Sequence, residues 1–204
     1  MKTVRYALLL FGLLGLTSCQ IPADWMPTAL VRREVIRRPL LIQPADSSHS
    51  PLYVWHGSGQ PGSVRVTIDL SQQKAYIFRD RENVGWTYVA TGRRGYSTPT
   101  GTFRISEKIV DKRSNRYGMI VDANGRVVNS NATAGLHRVP PGGKFVGARM
   151  PYWMRLTGNG VGLHAGPIPR PGAPASHGCI RLPYSLATRL YSIAPVGTPV
   201  TIVP

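Results

Sequence analysis

Val64-Arg65-Val66-Thr67-Ile68-Asp69-Leu70 (VRVTIDL) alternates apolar and polar residues over its whole length, the period of a strand that buries one face. Ser71-Gln72-Gln73 turns the chain, and Lys74-Ala75-Tyr76-Ile77-Phe78-Arg79 reads as the returning strand. A turn near Asp80 to Asn83 leads to a third, Trp86 to Thr91. Short strands at this spacing predict a β-sandwich or meander. Further along, Tyr117 to Asp122 and Arg126 to Asn129 flank Ala123-Asn124-Gly125, an Asn-Gly hairpin signal. Trp153 to Leu156, Val161 to His164 and Val200 to Val203 complete the set of expected strands. The 22 glycines and 18 prolines favour such a turn-rich fold over a helical bundle. One helix is expected, with Pro183 at its first position and Leu182, Leu186, Leu190 and Ile193 on one apolar face. That would set Cys179 just ahead of a helix N-terminus.

Upstream of this pattern the composition changes. Met1-Lys2-Thr3-Val4-Arg5 is basic and Ala7 to Leu16 is apolar, too short a run to span a bilayer comfortably, which takes roughly 20 residues. The pair reads as a secretory signal. It ends in Leu16-Thr17-Ser18-Cys19, which resembles the bacterial lipobox, so Cys19 is expected to carry lipid after cleavage. Two or three acyl chains anchor far better than one. Residues 20 to about 62, with Arg32-Arg33, Arg37-Arg38 and a Pro- and Ser-rich run from Pro44 to Pro51, read as a tether; Val31 to Ile36 could form a short helix. The expected organisation is therefore a signal over 1–18, a lipidated linker over 19–62 and one folded domain over 63–204. No internal repeat appears.

Charge bounds the surroundings. Twenty-five Lys and Arg against nine Asp and Glu leave a net +16, suited to lipid headgroups or an acidic polymer. Basic residues are not interleaved with aromatics as in nucleic-acid modules, so no nucleic-acid partner is expected. Cys19 and Cys179 are the two cysteines. With Cys19 lipidated, Cys179 becomes an unpaired thiol in an exported protein, a group to regard as reactive.

The surroundings of that thiol are chemically pointed. In Ala175-Ser176-His177-Gly178-Cys179-Ile180-Arg181-Leu182-Pro183 a histidine lies two residues before the cysteine, and His164 lies upstream in Val161-Gly162-Leu163-His164. An imidazole and a helix N-terminus both favour thiolate, the nucleophilic form. Gly178 lets backbone approach a bound carbonyl, and amides around Cys179 could stabilise an oxyanion. The loop from Ala165 to Ser176 carries Gly166, Pro167, Pro169, Pro171, Gly172 and Pro174 and can curl back to bring His164 to the sulfur. Nucleophile, base and oxyanion donors in one cleft suit acyl transfer through a thioester. His164, His177 and Cys179 are also zinc-type ligands, but they match no known zinc spacing. No metal and no cofactor is expected.

These residues resemble a known family. Ser176-His177-Gly178-Cys179-Ile180-Arg181-Leu182-Pro183 with upstream Gly162-Leu163-His164-Ala165-Gly166 is similar to the catalytic motif of bacterial L,D-transpeptidases, exported cysteine enzymes that crosslink peptidoglycan. Thr98-Pro99-Thr100-Gly101-Thr102-Phe103 and Met150-Pro151-Tyr152-Trp153-Met154 add to the likeness, which runs from about Val64 to Val203. The resemblance implies a mainly β, sandwich-type L,D-transpeptidase catalytic fold with a short helix after the cysteine. It implies Cys179 as nucleophile and His164 as general base, which favours the upstream histidine over His177 for that role. His177 would shape the site or orient substrate, Gly178 and Cys179 amides would hold the oxyanion, Arg181 would pair with a substrate carboxylate, and Ser176 would fix the loop. Two features depart from better-known members. Ala165 stands where some have serine, leaving a backbone carbonyl to orient the imidazole, and the loop after His164 is shorter.

The implied function is transfer of a donor stem peptide from a Cys179 thioester to an amine, in cell-wall biogenesis and cell shape or in anchoring an envelope protein. Alternatives are hydrolysis of the same acyl-enzyme, as a carboxypeptidase or amidase, and an inactive wall-binding lipoprotein. Partners would be peptidoglycan stem peptides and, through Cys19, a membrane. The expected location is the cell envelope, as a periplasmic lipoprotein, at the outer membrane in a Gram-negative cell.

Overall fold

A computed structural model describes residues 51–204. The expected signal, the lipobox with Cys19, the arginine pairs and the tether up to Ser50 lie outside the described residues. Within them, eleven strands and one helix follow in the order β1 (Tyr53–Trp55), β2 (Val64–Asp69), β3 (Lys74–Arg79), β4 (Glu82–Tyr88), β5 (Gly101–Arg104), β6 (Glu107–Val121), β7 (Val127–Thr133), β8 (Lys144–Arg155), β9 (Gly162–Ala165), β10 (Ile180–Leu182), α1 (Tyr184–Ile193) and β11 (Pro199–Val203). One sheet has the order β1-β4-β3-β2-β11-β5 and the other β10-β9-β8-β6-β7. The expected mainly β architecture with one short helix after Cys179 is what the described residues adopt.

The alternation from Val64 to Leu70 has its physical counterpart. Val64, Val66 and Ile68 of β2 are buried, and so are Ala75 and Ile77 of β3. They join Met154 of β8, Leu163 of β9 and Ile180 and Leu182 of β10 in one core, closed by Leu186, Ala187 and Leu190 of α1. Burial of this kind is the main stabilising contribution to the fold, about 1.5–3 kcal/mol for each large apolar side chain.

Four boundaries differ from expectation. First, Tyr53–Trp55 pairs antiparallel with β4, so the sheet begins inside the stretch read as linker; a three-residue edge strand is too short to show a period. Second, the third strand starts at Glu82 rather than Trp86, because the turn is confined to Asp80 and Arg81, with Asp80 at φ 52°. Third, β6 and β8 run far beyond their apolar segments, paired from Glu107↔Arg155 to Val121↔Lys144. Much of this ladder is exposed, so burial imposes no alternation there. Fourth, Leu182 ends strand β10 and Pro183 is the N-cap of α1, not its first helical residue.

Candidate active site

Strands β9 and β10 build the site by parallel pairing, with Ile180 opposite Leu163, Arg181 opposite His164 and Leu182 opposite Ala165. Successive side chains of a strand point to opposite faces. Leu163, Ile180 and Leu182 therefore enter the core, fully buried. His164, Arg181 and the preceding Cys179 take the other face and line one cleft of about 700 Å³. Trp153 of the neighbouring β8 also faces that side, its ring centroid 6.2 Å from that of His164. Parallel strands need a crossover connection, and the Pro- and Gly-rich stretch after Ala165 supplies it.

The His164 side chain is buried, and its Nδ1 lies 2.8 Å from the Ala165 carbonyl. A carbonyl only accepts, so Nδ1 holds the hydrogen and Nε2 keeps its lone pair. Backbone here does the orienting that Ala165 cannot do with its side chain. Burial depresses the His164 pKa to about 4, with Arg181 adding to the depression against the Ala165 bond. Burial pushes the Cys179 thiol above its ordinary range, against the Gly162 amide and the Arg181 charge. Desolvation penalises whichever form is charged, so at neutral pH the resting pair is thiol and imidazole, both neutral. The thiol directs its hydrogen at the Gly160 carbonyl, 3.7 Å away.

This changes one expectation. Strand β10 separates Cys179 from α1, and a helix dipole acts only over its first turn. The helix does not polarise the thiol; the Gly162 amide and Arg181 are the groups that favour its charged form.

The loop that bears Cys179 is tied through Ala175, Ser176, Gly178 and the Cys179 carbonyl. Ala175 and Ser176 amides donate to the Thr91 carbonyl, at 3.0 and 2.9 Å, and the Arg93 amide donates to the Ser176 carbonyl at 3.1 Å. Ser176 Oγ donates to the Cys179 carbonyl at 2.6 Å and accepts from the Gly178 amide at 3.0 Å. Thr98 Oγ1 donates to the Gly178 carbonyl at 2.8 Å and accepts from the Gly92 amide at 2.9 Å. Gly178 has φ +111°, a backbone conformation that favours glycine. Ser176 thus commits the Gly178 amide, which corrects its expected part as an oxyanion donor. Among the described residues the Cys179 N–H stays outside these bonds.

His177 is held by Arg93 and two aromatic rings. Its Nε2 lies 3.0 Å from Arg93 Nη2; a guanidinium only donates, so that nitrogen accepts. The ring stacks on Tyr117 at 4.4 Å and 19° and meets Tyr96 edge-on at 4.5 Å. Burial, followed by the charges of Arg93 and Arg181, lowers its pKa. Arg181 is half-buried with no hydrogen-bond or ion-pair partner for its guanidinium among the described residues.

The structure thus brings Cys179, His164 and Arg181 to one face, uses Ser176 and Gly178 to shape the loop, and places His177 in an aromatic box. Sequence reading did not anticipate Arg93, Tyr96, Tyr117 or the Gly160 and Gly162 backbone. Thr98 stood in a quoted motif without a role.

Comparison with known proteins agrees with this architecture. The model of the YkuD family, the L,D-transpeptidase catalytic domain, matches residues 63–202. Among solved structures, an L,D-transpeptidase from Mycobacterium smegmatis shares 24% identity over 70% of this chain and 59% of its own, with a TM-score of 0.53. One from Stackebrandtia nassauensis shares 24% over 71% and 57%, at 0.50, and one from Enterococcus faecium 24% over 69% and 50%, at 0.50. The chain spans 59% or less of the length of these three proteins, and at this identity the likeness shows the fold. A comparison with curated proteins gives no match.

Proposed function

Since the chain belongs to the L,D-transpeptidase catalytic-domain family, we propose that it forms a thioester between Cys179 and a peptidoglycan stem peptide and passes that acyl group to an amine. The observation that carries the proposal is the common face of β9 and β10, which presents His164, Cys179 and Arg181 to one cleft. Cys179 Sγ attacks the donor carbonyl as His164 Nε2 takes the thiol proton. The tetrahedral oxyanion is held by the Cys179 N–H. Collapse expels the terminal D-amino acid, whose amine takes the proton from His164. An acceptor amine then attacks the thioester, loses its proton through His164, and the thiol is restored. Because the resting pair is neutral, proton transfer accompanies attack instead of preceding it. Arg181 suits the carboxylate of the departing residue, as an unpaired guanidinium.

Incubation with muropeptides and mass spectrometry tests this. New crosslinks are expected with the wild type and none with Cys179→Ala. Shortened stems alone would make water the acceptor, and an equally fast Cys179→Ala protein would remove the thioester altogether. The basic surface and the lipobox support a location in the cell envelope, tethered through lipid on Cys19. Intact mass of protein taken from its native envelope is expected to show acyl chains that Cys19→Ser abolishes, and a bare N-terminus would refute the anchor.

A further inference from the structure

The wall of the cleft facing the nucleophile loop carries a second cationic feature that acyl transfer itself does not use. Strand β6 loses register with β8 between Arg113 and Gly118. Ser114 Oγ closes the resulting bulge by accepting the Arg116 and Tyr117 amides at 3.2 and 2.9 Å. The facing strand gives way at Gly147, where a Cβ would run into the Ser114 carbonyl. Bulges beside active sites re-aim side chains, and this one lays Tyr117 on His177. The Arg116 guanidinium then sits over the Tyr117 ring, 5.4 Å from its centroid. Arg116 is held by its neighbour, two ring layers from the loop that bears Cys179.

The charges around it are unbalanced. Arg149 pairs with Asp111 at 3.4 Å and Arg155 with Glu107 at 2.9 Å. Arg116 and Lys112 line the same cleft, and neither side chain has a hydrogen-bond or ion-pair partner among the described residues. No aspartate or glutamate lines the cleft. A guanidinium resting on an aromatic ring with its donor edge unused suits a planar carboxylate. Arg181 already serves the group beside the sulfur, so Arg116 meets a different one.

We propose that Arg116, assisted by Lys112, is a specificity subsite for a second carboxylate on the donor peptide, borne on the part that stays attached to Cys179. The proposal rests on the acyl-transfer reading above. It makes the protein selective for donors whose side carboxylate is free, over otherwise identical donors in which it is a carboxamide.

The test uses two synthetic donors differing in that one group, with the rate of Cys179 acylation followed by intact mass. The wild type is expected to prefer the free carboxylate by about fivefold in kcat/KM, the size of one exposed ion pair, since Arg116 is itself exposed. Arg116→Gln brings the ratio to about one, Arg116→Lys retains part of it, and Arg116→Glu inverts it. Arg126→Gln, which removes an exposed charge paired with Asp122, keeps the wild-type ratio. Equal rates in the wild type, an unchanged ratio in Arg116→Gln, or an equal drop in Arg126→Gln each overturns the subsite while leaving acyl transfer in place. Failure of both donors to acylate the wild type overturns acyl transfer, and the subsite with it.

Discussion

The two walls of the cleft are built on opposite terms. On the nucleophile side, backbone and buried hydroxyls are tied from Ala175 through Cys179, by Thr91, Arg93, Ser176 and Thr98. On the facing side, β6 leaves its ladder; Arg113 Nη1 donates to the Gly147 carbonyl at 3.2 Å, while the Arg116 guanidinium rests over the Tyr117 ring without a hydrogen-bond partner among the described residues. A saturated wall fixes the reacting atoms within the tolerance that near-attack geometry demands. An unsaturated wall leaves donors free for whatever binds. The difference suggests a division of labour, in which substitutions on the first wall slow every donor alike and those on the second change which donor is preferred.

The largest effect expected is on the saturated wall, and it appears as stability. His164 titrates near 4 in the folded chain against 6.5 ordinarily, because burial disfavours its charge. Above pH 6.5 it is neutral in both states and contributes no pH dependence. As pH falls below 6.5 the unfolded chain binds the proton first, so stability is lost progressively and the loss levels off near pH 4. The amount is about 3 kcal/mol. Urea denaturation of wild type and His164→Gln across that window measures it: the wild type should lose this much more than the variant. Parallel curves would mean that His164 accepts charge, and that the wall is less sealed than its hydrogen bonds imply.

How far the sequence carries toward this site depends on what each residue answers to. Cys179, His164 and Arg181 were legible through the motif they share with the L,D-transpeptidases, the family whose model matches residues 63–202. Strand β10, which carries Arg181, was not anticipated. The alternation of Val64, Val66 and Ile68 was legible from its period, since burial selects one face. The bulge at Ser114–Tyr117 was not. It lies in an exposed ladder where no face is selected, and its partner Gly147 is distant in sequence. The role expected of the Gly178 amide failed on a local competition, since Ser176 Oγ is near enough to take that hydrogen bond first. The helix effect failed by three residues, the length of β10.

Thr98→Val gives the smaller and sharper test of the two walls. The substitution keeps the shape of a side chain that is 6% exposed and removes the hydroxyl that joins the Gly92 amide to the Gly178 carbonyl. Each group left unpaired in a buried site costs about 1–3 kcal/mol, and partial rehydration at the cleft edge would bring the net loss to about 2 kcal/mol. Gly178 would then drift in a loop whose φ of +111° is held in part by that bond. Acylation should fall about tenfold for the carboxylate donor and for its carboxamide twin, with their ratio unmoved, because the reacting atoms are displaced and the facing wall is not. A variant that changes the ratio instead would show the Thr98 tie reaching across the cleft, through Gly178 to His177 and the Tyr117 ring stacked on it. The two walls would then be one mechanical unit, and donor choice would be set partly by the loop that performs the chemistry.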